Sequence, residues 1–350
     1  MNLFPSGLCR AGAAICAVIL VVSAPGTGDV SARDRGERGE RSGGGGLSPE
    51  MRAFIETLSD DERREYRALD RRDRRRFLEQ RMGQRPQTAP QPAATGETAP
   101  ESLDGFVPPH AISDEVRLMV GKNSRRDNER AVGIQKARGA IETGLRPAFI
   151  GGGGCPEIDS EKWAIDYSHK RGGAAIHKGV DIPQPDGTPI RAAAAGTVVG
   201  KFPNEGNRKG IEIMLRHTPA ETGLPFWTYS QYTHLREMSP LPVGAKVALG
   251  QEIGKTGNSG KMGRRVRRDA LHFAILYSAQ PGWSRDGQYV APQDGYWMDP
   301  NAFYRTEPPW DSPSLAALPD DQKHVAVPFM KSDGSVAQSG AKRIWPYVCD

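Results

Sequence analysis

The stretch Ile176-His177-Lys178-Gly179-Val180-Asp181-Ile182 places a histidine and an aspartate four residues apart, with a glycine between them. On a straight strand these two side chains would lie roughly 13 Å apart, too far to bind one metal ion. A helix would bring them together, but the glycine, the β-branched Val180 and the following Pro183 disfavour a helix. A bend at Lys178-Gly179 would also bring them together, and glycine permits it. By itself the spacing favours an ordinary surface histidine near an aspartate.

Two later histidines lie in strand-like sequence. His234 ends the aromatic run Tyr232-Thr233-His234, and His272 follows Leu271 in an apolar run that continues to Leu276. If the odd-numbered residues of the second run face the core, His272 points to the opposite face, together with Ala270. Taken singly, neither histidine indicates a function.

The sequence from Cys155 onward predicts an all-β, mainly antiparallel domain. Short runs of β-branched and apolar residues alternate with turns rich in glycine, asparagine and aspartate, such as Asp186-Gly187 and the stretch 204–207. Helical patterns of ten residues between these runs are lacking, which argues against a parallel sheet with crossover helices.

In this order the motifs resemble the lysostaphin-like, LytM-type zinc metallo-endopeptidases, which cut peptidoglycan peptides. The stretch His177–Asp181 resembles their His-x-Gly-x-Asp motif, and 232–235 resembles their Tyr-x-His-Leu motif. Gly257-Asn258-Ser259-Gly260 resembles their Gly-x-Thr-Gly loop. The resemblance covers about residues 170–305. It implies an antiparallel two-sheet β-roll with a groove over the metal.

The resemblance also implies roles for individual residues. It makes His177, Asp181 and His272 zinc ligands, and His234 a catalytic histidine that polarises water or stabilises the oxyanion. The chain departs from the family at Ala270, where the last motif, His-x-His, has a histidine that serves as a catalytic base or acid. Loss of such a group costs about two to four orders of magnitude in rate. The segment before it, 261–268, is longer and more basic than the family's loop.

Two functions are therefore expected. The first is a zinc endopeptidase that hydrolyses peptidoglycan cross-links or stems, and the retained ligands favour it. The second is a catalytically impaired zinc-binding module that binds the wall or activates a hydrolase, and Ala270 favours it. A sugar- or lipid-binding β-domain without metal is the third reading. The net charge of +5 and the pI near 9.0 suit an acidic wall polymer or anionic lipid, or simply reflect a basic surface. No pattern favours nucleic acid.

The N-terminal sequence predicts export to the periplasm or cell envelope. Residues 1–32 have the short basic start, apolar run and small residues of a signal peptide. Residues 33–83 are predicted to form a flexible tether and a basic helical hairpin, whose surface is a solvated face or a contact for envelope or divisome proteins. The linker 84–105 is rich in proline, alanine and threonine, and 106–154 is predicted to be short helices or irregular structure. The peptidase-like domain is assigned to 155–350.

The four cysteines divide into two pairs. Cys9 and Cys16 would leave with the signal peptide, so Cys155 and Cys349 would remain in an oxidising compartment. Two leftover cysteines in such a compartment usually pair, which predicts a disulfide between them.

Overall fold

The chain forms two compact units, Met1–Ala89 and Pro90–Asp350. The computed structural model describes residues 51, 54–55, 58, 60–84, 103–121, 128–152, 154–159, 162–167, 176–204, 206–261, 263 and 267–350. The predicted signal peptide, the tether and the linker up to residue 102 (apart from residue 84) lie outside these residues. Within them, no helix combines the length and the apolar character needed to cross a bilayer.

The helices of the described residues are α1 Asp60–Ala68, α2 Arg71–Gln84, α3 Asp114–Val120, α4 Asn128–Ala137, α5 Pro219–Thr222 and α6 Ser312–Ala316. The strands are β1 Arg146–Phe149, β2 Val180–Pro183, β3 Pro189–Arg191, β4 Gly196–Phe202, β5 Ile211–His217, β6 Trp227–Leu235, β7 Lys246–Val247, β8 Glu252–Lys255, β9 Ala270–Ser278, β10 Trp283–Arg285, β11 Val290–Pro292, β12 Tyr296–Met298, β13 His324–Val327, β14 Met330–Lys331 and β15 Val348–Cys349.

In the N-terminal unit the described residues form a hairpin of two helices, α1 and α2, separated by a break at Leu69-Asp70. Phe77 and Leu78 of α2 are buried in a small apolar cluster. Arg81 crosses back to α1, where it pairs with Glu62 at 2.8 Å and Glu65 at 3.1 Å. These ion pairs are exposed or half-buried, so each adds little to the stability of the hairpin. The small apolar cluster therefore supplies most of that stability.

The centre of the second unit is a seven-stranded antiparallel sheet. Its order is β12-β9-β6-β5-β4-β7, and β2 also pairs with β9. Strand β9 is central because β6 pairs along one edge while β2 and β12 share the other. The predicted mainly antiparallel β fold is confirmed. The remaining strands form four two-stranded sheets, of which β1–β13 and β14–β15 are parallel.

Residues before 155 contribute to the same core as the β-rich region. Val116 and Met119 of α3 are fully buried in the main apolar cluster, and Leu145 before β1 also belongs to it. Strand β1 pairs with β13 near the other end of the chain. The boundary placed at residue 155 in the sequence therefore does not separate two packed bodies. Segment 106–154 also contains a strand besides the expected short helices.

The predicted disulfide between Cys155 and Cys349 is confirmed, with the two Cα atoms 4.5 Å apart and a sequence separation of 194. Both cysteines are buried in the main core. The bond thus ties the segment just before the His177 motif to the end of the chain.

Breaking this disulfide is expected to destabilise the second unit strongly. In the chain-entropy model a loop of this length contributes about 5 kcal/mol. Chemical denaturation of wild type and of Cys155→Ala/Cys349→Ala should show this loss, whereas reductant should change the wild type and leave the variant unaffected. Equal stability of the two proteins would contradict the structural role.

His217 is buried and serves as a structural histidine. Its Nδ1–H donates to the Ala195 carbonyl at 2.6 Å, and its Nε2 accepts from the Ser230 hydroxyl at 2.7 Å. Burial lowers the pKa of His217 to about 4. The unfolded chain then binds more protons than the folded one between pH 4 and 6.5, so this residue makes the protein less stable as pH falls through that window.

His217→Gln is expected to remove that acid sensitivity. Between pH 7 and pH 4 the wild type should lose up to roughly 3 kcal/mol more unfolding free energy than the variant, given a shift of this size. Burial raises the pKa of Asp299 to about 7, so this residue makes both proteins more stable as pH falls and opposes the effect of His217. The quantity to measure is therefore the difference in unfolding free energy between wild type and variant. Parallel stability curves against pH would refute the assignment.

Candidate metal centre

The structure brings His177, Asp181 and His272 together. Nδ1 of His272 lies 2.9 Å from Oδ1 of Asp181 and 3.0 Å from Nε2 of His177. Nε2 of His177 lies 3.3 Å from the same aspartate oxygen. All three side chains are partly buried.

Strand pairing explains why Asp181 and His272 lie together. Asp181 of β2 lies directly opposite His272 of β9 in the antiparallel register. Directly opposite residues have their Cβ atoms roughly 4.5–5.5 Å apart and on the same face of the sheet. Strand β2 begins only at Val180, so His177 lies before it and is free of the strand's spacing. The bend expected at Lys178-Gly179 is therefore present.

Gly179 is required for a different reason from the one expected. Its φ is not in the left-handed region. A Cβ at this position would lie 2.5 Å from the Phe273 carbonyl oxygen and 2.7 Å from Nε2 of His272. Glycine is therefore needed because the backbone passes directly against the His272 ring.

A flanking segment, residues 154–167, holds the ligand-bearing stretch from outside. His177 N–H donates to Ile165 O at 2.7 Å, and Gly179 N–H donates to Trp163 O at 3.0 Å. Further along, the Asp159 N–H donates to the Asp181 carbonyl at 2.8 Å. Because Cys155 anchors the start of this segment, the disulfide supports the position of the metal-ligand candidates.

The electrostatics of the cluster favour an ionised Asp181 and lower the pKa of the neighbouring His272. Burial alone would raise the pKa of Asp181, but hydrogen bonds and charge from His177 and His272 outweigh it and hold that pKa well below its usual range. Burial lowers the pKa of His272, and the charges of His177 and Arg267 add to this effect, against the opposing bond to Asp181. Metal ligands must be deprotonated, so both directions suit metal binding.

His234 lies beside the cluster in a strained conformation. Its φ is +69°, in the left-handed region. The β5–β6 register shifts there, because Glu212 pairs with Thr233 but Ile211 pairs with Leu235, which leaves His234 as the extra residue of a bulge. Bulges and non-glycine residues in this region concentrate at functional sites.

The hydrogen bonds of His234 fix its tautomer. Its backbone N–H and its Nδ1–H both donate to the Lys209 carbonyl, at 3.0 Å and 2.7 Å. Nε2 is therefore the nitrogen that keeps a lone pair. The His234 and His272 rings are 5.7 Å apart between centroids. Burial, with the charges of Arg267 and His272, lowers the pKa of His234 well below its usual range, which favours the neutral ring.

Ala270 lies two residues before His272 on β9 and is 1% exposed. Its N–H donates to the Gly257 carbonyl at 3.2 Å. The position of the missing family histidine is therefore closed to solvent, because neighbouring groups cover it.

Arg267 is the site residue that the sequence did not single out. Its Nε donates to Asn258 Oδ1 at 3.2 Å, and Nη2 donates to the Ser259 carbonyl at 2.9 Å. Its charge acts on Asp181, His234 and His272. The only signal in the sequence was the basic composition of 261–268. The next residue, Arg268, pairs with Asp159 of the flanking segment at 2.6 Å.

The three candidate ligands fit a metal ion. Their ligand atoms all lie within 4.8 Å of one another, and no other such group occurs among the described residues. A tetrahedral zinc ion roughly 2.0–2.2 Å from each ligand separates the ligand atoms by about 3.3–3.6 Å, close to the distances found. Two imidazoles and one carboxylate are also a usual donor set for a zinc site that keeps a fourth position open. His169 lies outside the described residues.

Residues 175–292 match the profile of peptidase family M23. This segment contains the candidate ligands and His234, and the resemblance drawn from the motifs is confirmed. Within this segment the chain therefore resembles the LytM-type peptidases of this family.

Two protein relatives each match 31% of the chain. The chain is 32% identical over 112 residues to an uncharacterised protein of Haemophilus influenzae. The aligned region covers 31% of this chain and 24% of that protein. It is 32% identical over 109 residues to the peptidoglycan DD-endopeptidase ShyA of Vibrio cholerae, covering 31% of this chain and 22% of that protein. The chain thus spans about a quarter of the length of these relatives.

Solved structures of similar proteins include LytU, which is 26% identical to this chain. The match covers 42% of this chain and 83% of LytU, and the TM-score is 0.31. The catalytic domain of lysostaphin from Staphylococcus simulans is 30% identical, with 31% of this chain and 70% of that domain covered and a TM-score of 0.24.

Gly179→Ala is expected to weaken zinc binding by about 10- to 100-fold, the usual effect of disturbing a group that orients a ligand. The added methyl group must displace the His272 ring or the β9 backbone. Competition with a chelating dye would measure the affinity. Gly133→Ala is the matched control, since a Cβ there meets nothing within 4 Å. Equal zinc affinity in both variants would contradict the close-approach argument.

Proposed function

We propose that this protein is a zinc-dependent endopeptidase that hydrolyses peptide cross-links or stems of peptidoglycan in the cell envelope. The observation that carries the proposal is the convergence of His177, Asp181 and His272 within a segment that matches a peptidase family. The peptidoglycan endopeptidase activity named for the Vibrio cholerae relative supports the choice of substrate.

In this proposal His177 Nε2, His272 Nδ1 and an oxygen of Asp181 hold the ion. Zinc, when bound, polarises the scissile carbonyl and lowers the pKa of a bound water towards neutrality. The β2–β9 pairing and the flanking segment keep the three ligands in place before the ion arrives, which lowers the cost of binding.

His234 and Arg267 act on the reacting groups beside the ligands. With Nδ1–H committed to Lys209, His234 offers Nε2 to orient or accept a proton from the attacking water. The guanidinium of Arg267 is fixed by Asn258 and Ser259 and supplies positive charge where negative charge develops on the substrate oxygen. Neither role needs a side chain at position 270.

A second function is favoured by one observation. Ala270 stands where the family has a catalytic histidine, so the domain could bind zinc and wall peptides without cutting them. Such a protein would act as a wall-binding or hydrolase-activating module. The basic hairpin α1–α2 would then be a surface for envelope or divisome proteins. Both functions place the protein outside the cytoplasm, in line with the signal-like residues 1–32.

Digestion of purified wall sacculi separates the two functions. Zinc-loaded wild type is expected to release soluble peptides, detected by chromatography and mass spectrometry. His177→Ala and Asp181→Ala should lose both metal and activity. His234→Ala should keep its zinc and lose activity by about two to four orders of magnitude, as expected for a positioned proton acceptor.

Ala270→His is the informative partner of these variants. If the missing base limits the wild type, the new histidine should raise hydrolysis; if Arg267 and His234 suffice, it should change little or crowd the buried position. A wild type that binds zinc but cuts no wall preparation, and an Ala270→His variant that is equally inert, would overturn the enzyme proposal in favour of the module.

A further inference from the structure

A cavity of about 350 Å³ lies in the C-terminal part of the chain. Its walls come from residues 304–307, from 324–326 of β13 and Pro328, and from Gln338 and residues 341–343. All of these residues follow the family match, which ends at residue 292. None of the metal-site residues lines the cavity, and its volume lies in the range of small-ligand sites.

Three cationic side chains line this cavity, and within the described part of the chain none of them pairs with a carboxylate. Arg305 Nε donates to the Pro309 carbonyl at 3.1 Å, and Lys342 Nζ donates to the Ala220 carbonyl at 2.9 Å. Arg343 Nη2 donates to the Arg305 carbonyl at 3.3 Å. Carbonyls hold these groups in position but do not neutralise them, so the cavity keeps a surplus of positive charge.

Arg343 carries the strongest sign of a missing anion. Its Nη1 is buried and has no hydrogen-bond partner. Burial lowers the pKa of Arg343 to about 10, opposed only by Tyr304. The Arg343 guanidinium thus has an unmet donor at Nη1 and no carboxylate partner among the described residues, and such a partly buried charge is costly unless an anion meets it. The single carboxylate lining the cavity, Glu307, is exposed.

One wall of the cavity is an open strand edge. Arg146 N–H donates to Lys323 O and Ile150 N–H donates to Val327 O, so β13 uses its odd-numbered carbonyls towards β1. In a parallel ladder the alternate residues face the other side, which leaves the N–H and C=O of His324 and Ala326 directed away from β1. Strand β13 has no second strand partner among the described residues, and both residues line the cavity.

We propose that this cavity binds an extended peptide that carries a carboxylate. The carboxylate pairs with Arg343 and Lys342, and the peptide backbone adds to the open edge of β13 at His324 and Ala326. Guanidinium–carboxylate pairing gives the charge specificity, and strand addition gives affinity that depends little on side chains. The proposal does not depend on the metal site or on hydrolysis.

Fluorescence anisotropy with dye-labelled peptides tests the site in the full chain. The first probe is tetra-alanine with a free C-terminal carboxylate, and the second is the same peptide as its C-terminal amide. A third, Ala-Glu-Ala-Ala amide, carries the carboxylate on a side chain. The free acid is expected to bind with a Kd of about 1 mM or tighter, and the amide at least tenfold more weakly. The third probe carries its carboxylate on a side chain, and it is expected to bind more tightly than the tetra-alanine amide.

Two variants separate the charge from the strand edge. Arg343→Met keeps the packing but removes the charge, so it should weaken the acid probe about tenfold and leave the amide unchanged. Lys331→Met, at an exposed lysine outside the cavity, is its control. Ala326→Pro removes only the N–H that faces the cavity, which an edge strand tolerates, and should weaken both probes equally. Ala326→Ser is the matched control.

His177→Ala should bind the probes as the wild type does, which distinguishes failure of this site from failure of the proposed peptidase. Equal affinity for acid and amide, or no binding tighter than about 1 mM, would overturn the proposal. Displacement of the acid probe by acetate at the same concentration would also overturn it, because the site would then bind a simple anion without the peptide backbone.

Discussion

The arrangement depends first on the register in which Asp181 lies opposite His272 across β2 and β9. A shift of one residue would turn Asp181 to the other face of the sheet and abolish the cluster. Strand β9 also pairs with β6, which carries His234, so one strand fixes both halves of the site. The core that holds β9 in place therefore sets the geometry of the site.

Two local departures from regular structure complete the site. Gly179 lets the chain pass against the His272 ring, where any side chain would collide. His234 takes a left-handed conformation at a bulge, and the Lys209 carbonyl binds both of its nitrogen donors. The left-handed conformation of His234 carries a local cost in free energy, which the surrounding sheet must offset. Both departures occur beside the candidate ligands and not at random in the fold.

Much of the site could be predicted from the sequence, because the alternation in β9 and the order of the motifs are local signals. The disulfide also followed from counting cysteines. The packing of residues 103–121 and 128–152 into the main core could not be predicted, since it depends on contacts such as β1 with β13, far apart in sequence. The role of Arg267 was missed for the same reason: its position depends on the loop at Asn258 and Ser259.

The central claim is that the cluster on β2 and β9 is a zinc site. The most direct measurement is the anomalous scattering of a crystal of the zinc-loaded protein on both sides of the zinc absorption edge. The account predicts one strong peak within about 2.0–2.2 Å of His177 Nε2, His272 Nδ1 and an Asp181 oxygen. A fully loaded protein whose zinc peak lies elsewhere, or that shows no peak at these residues, would contradict it.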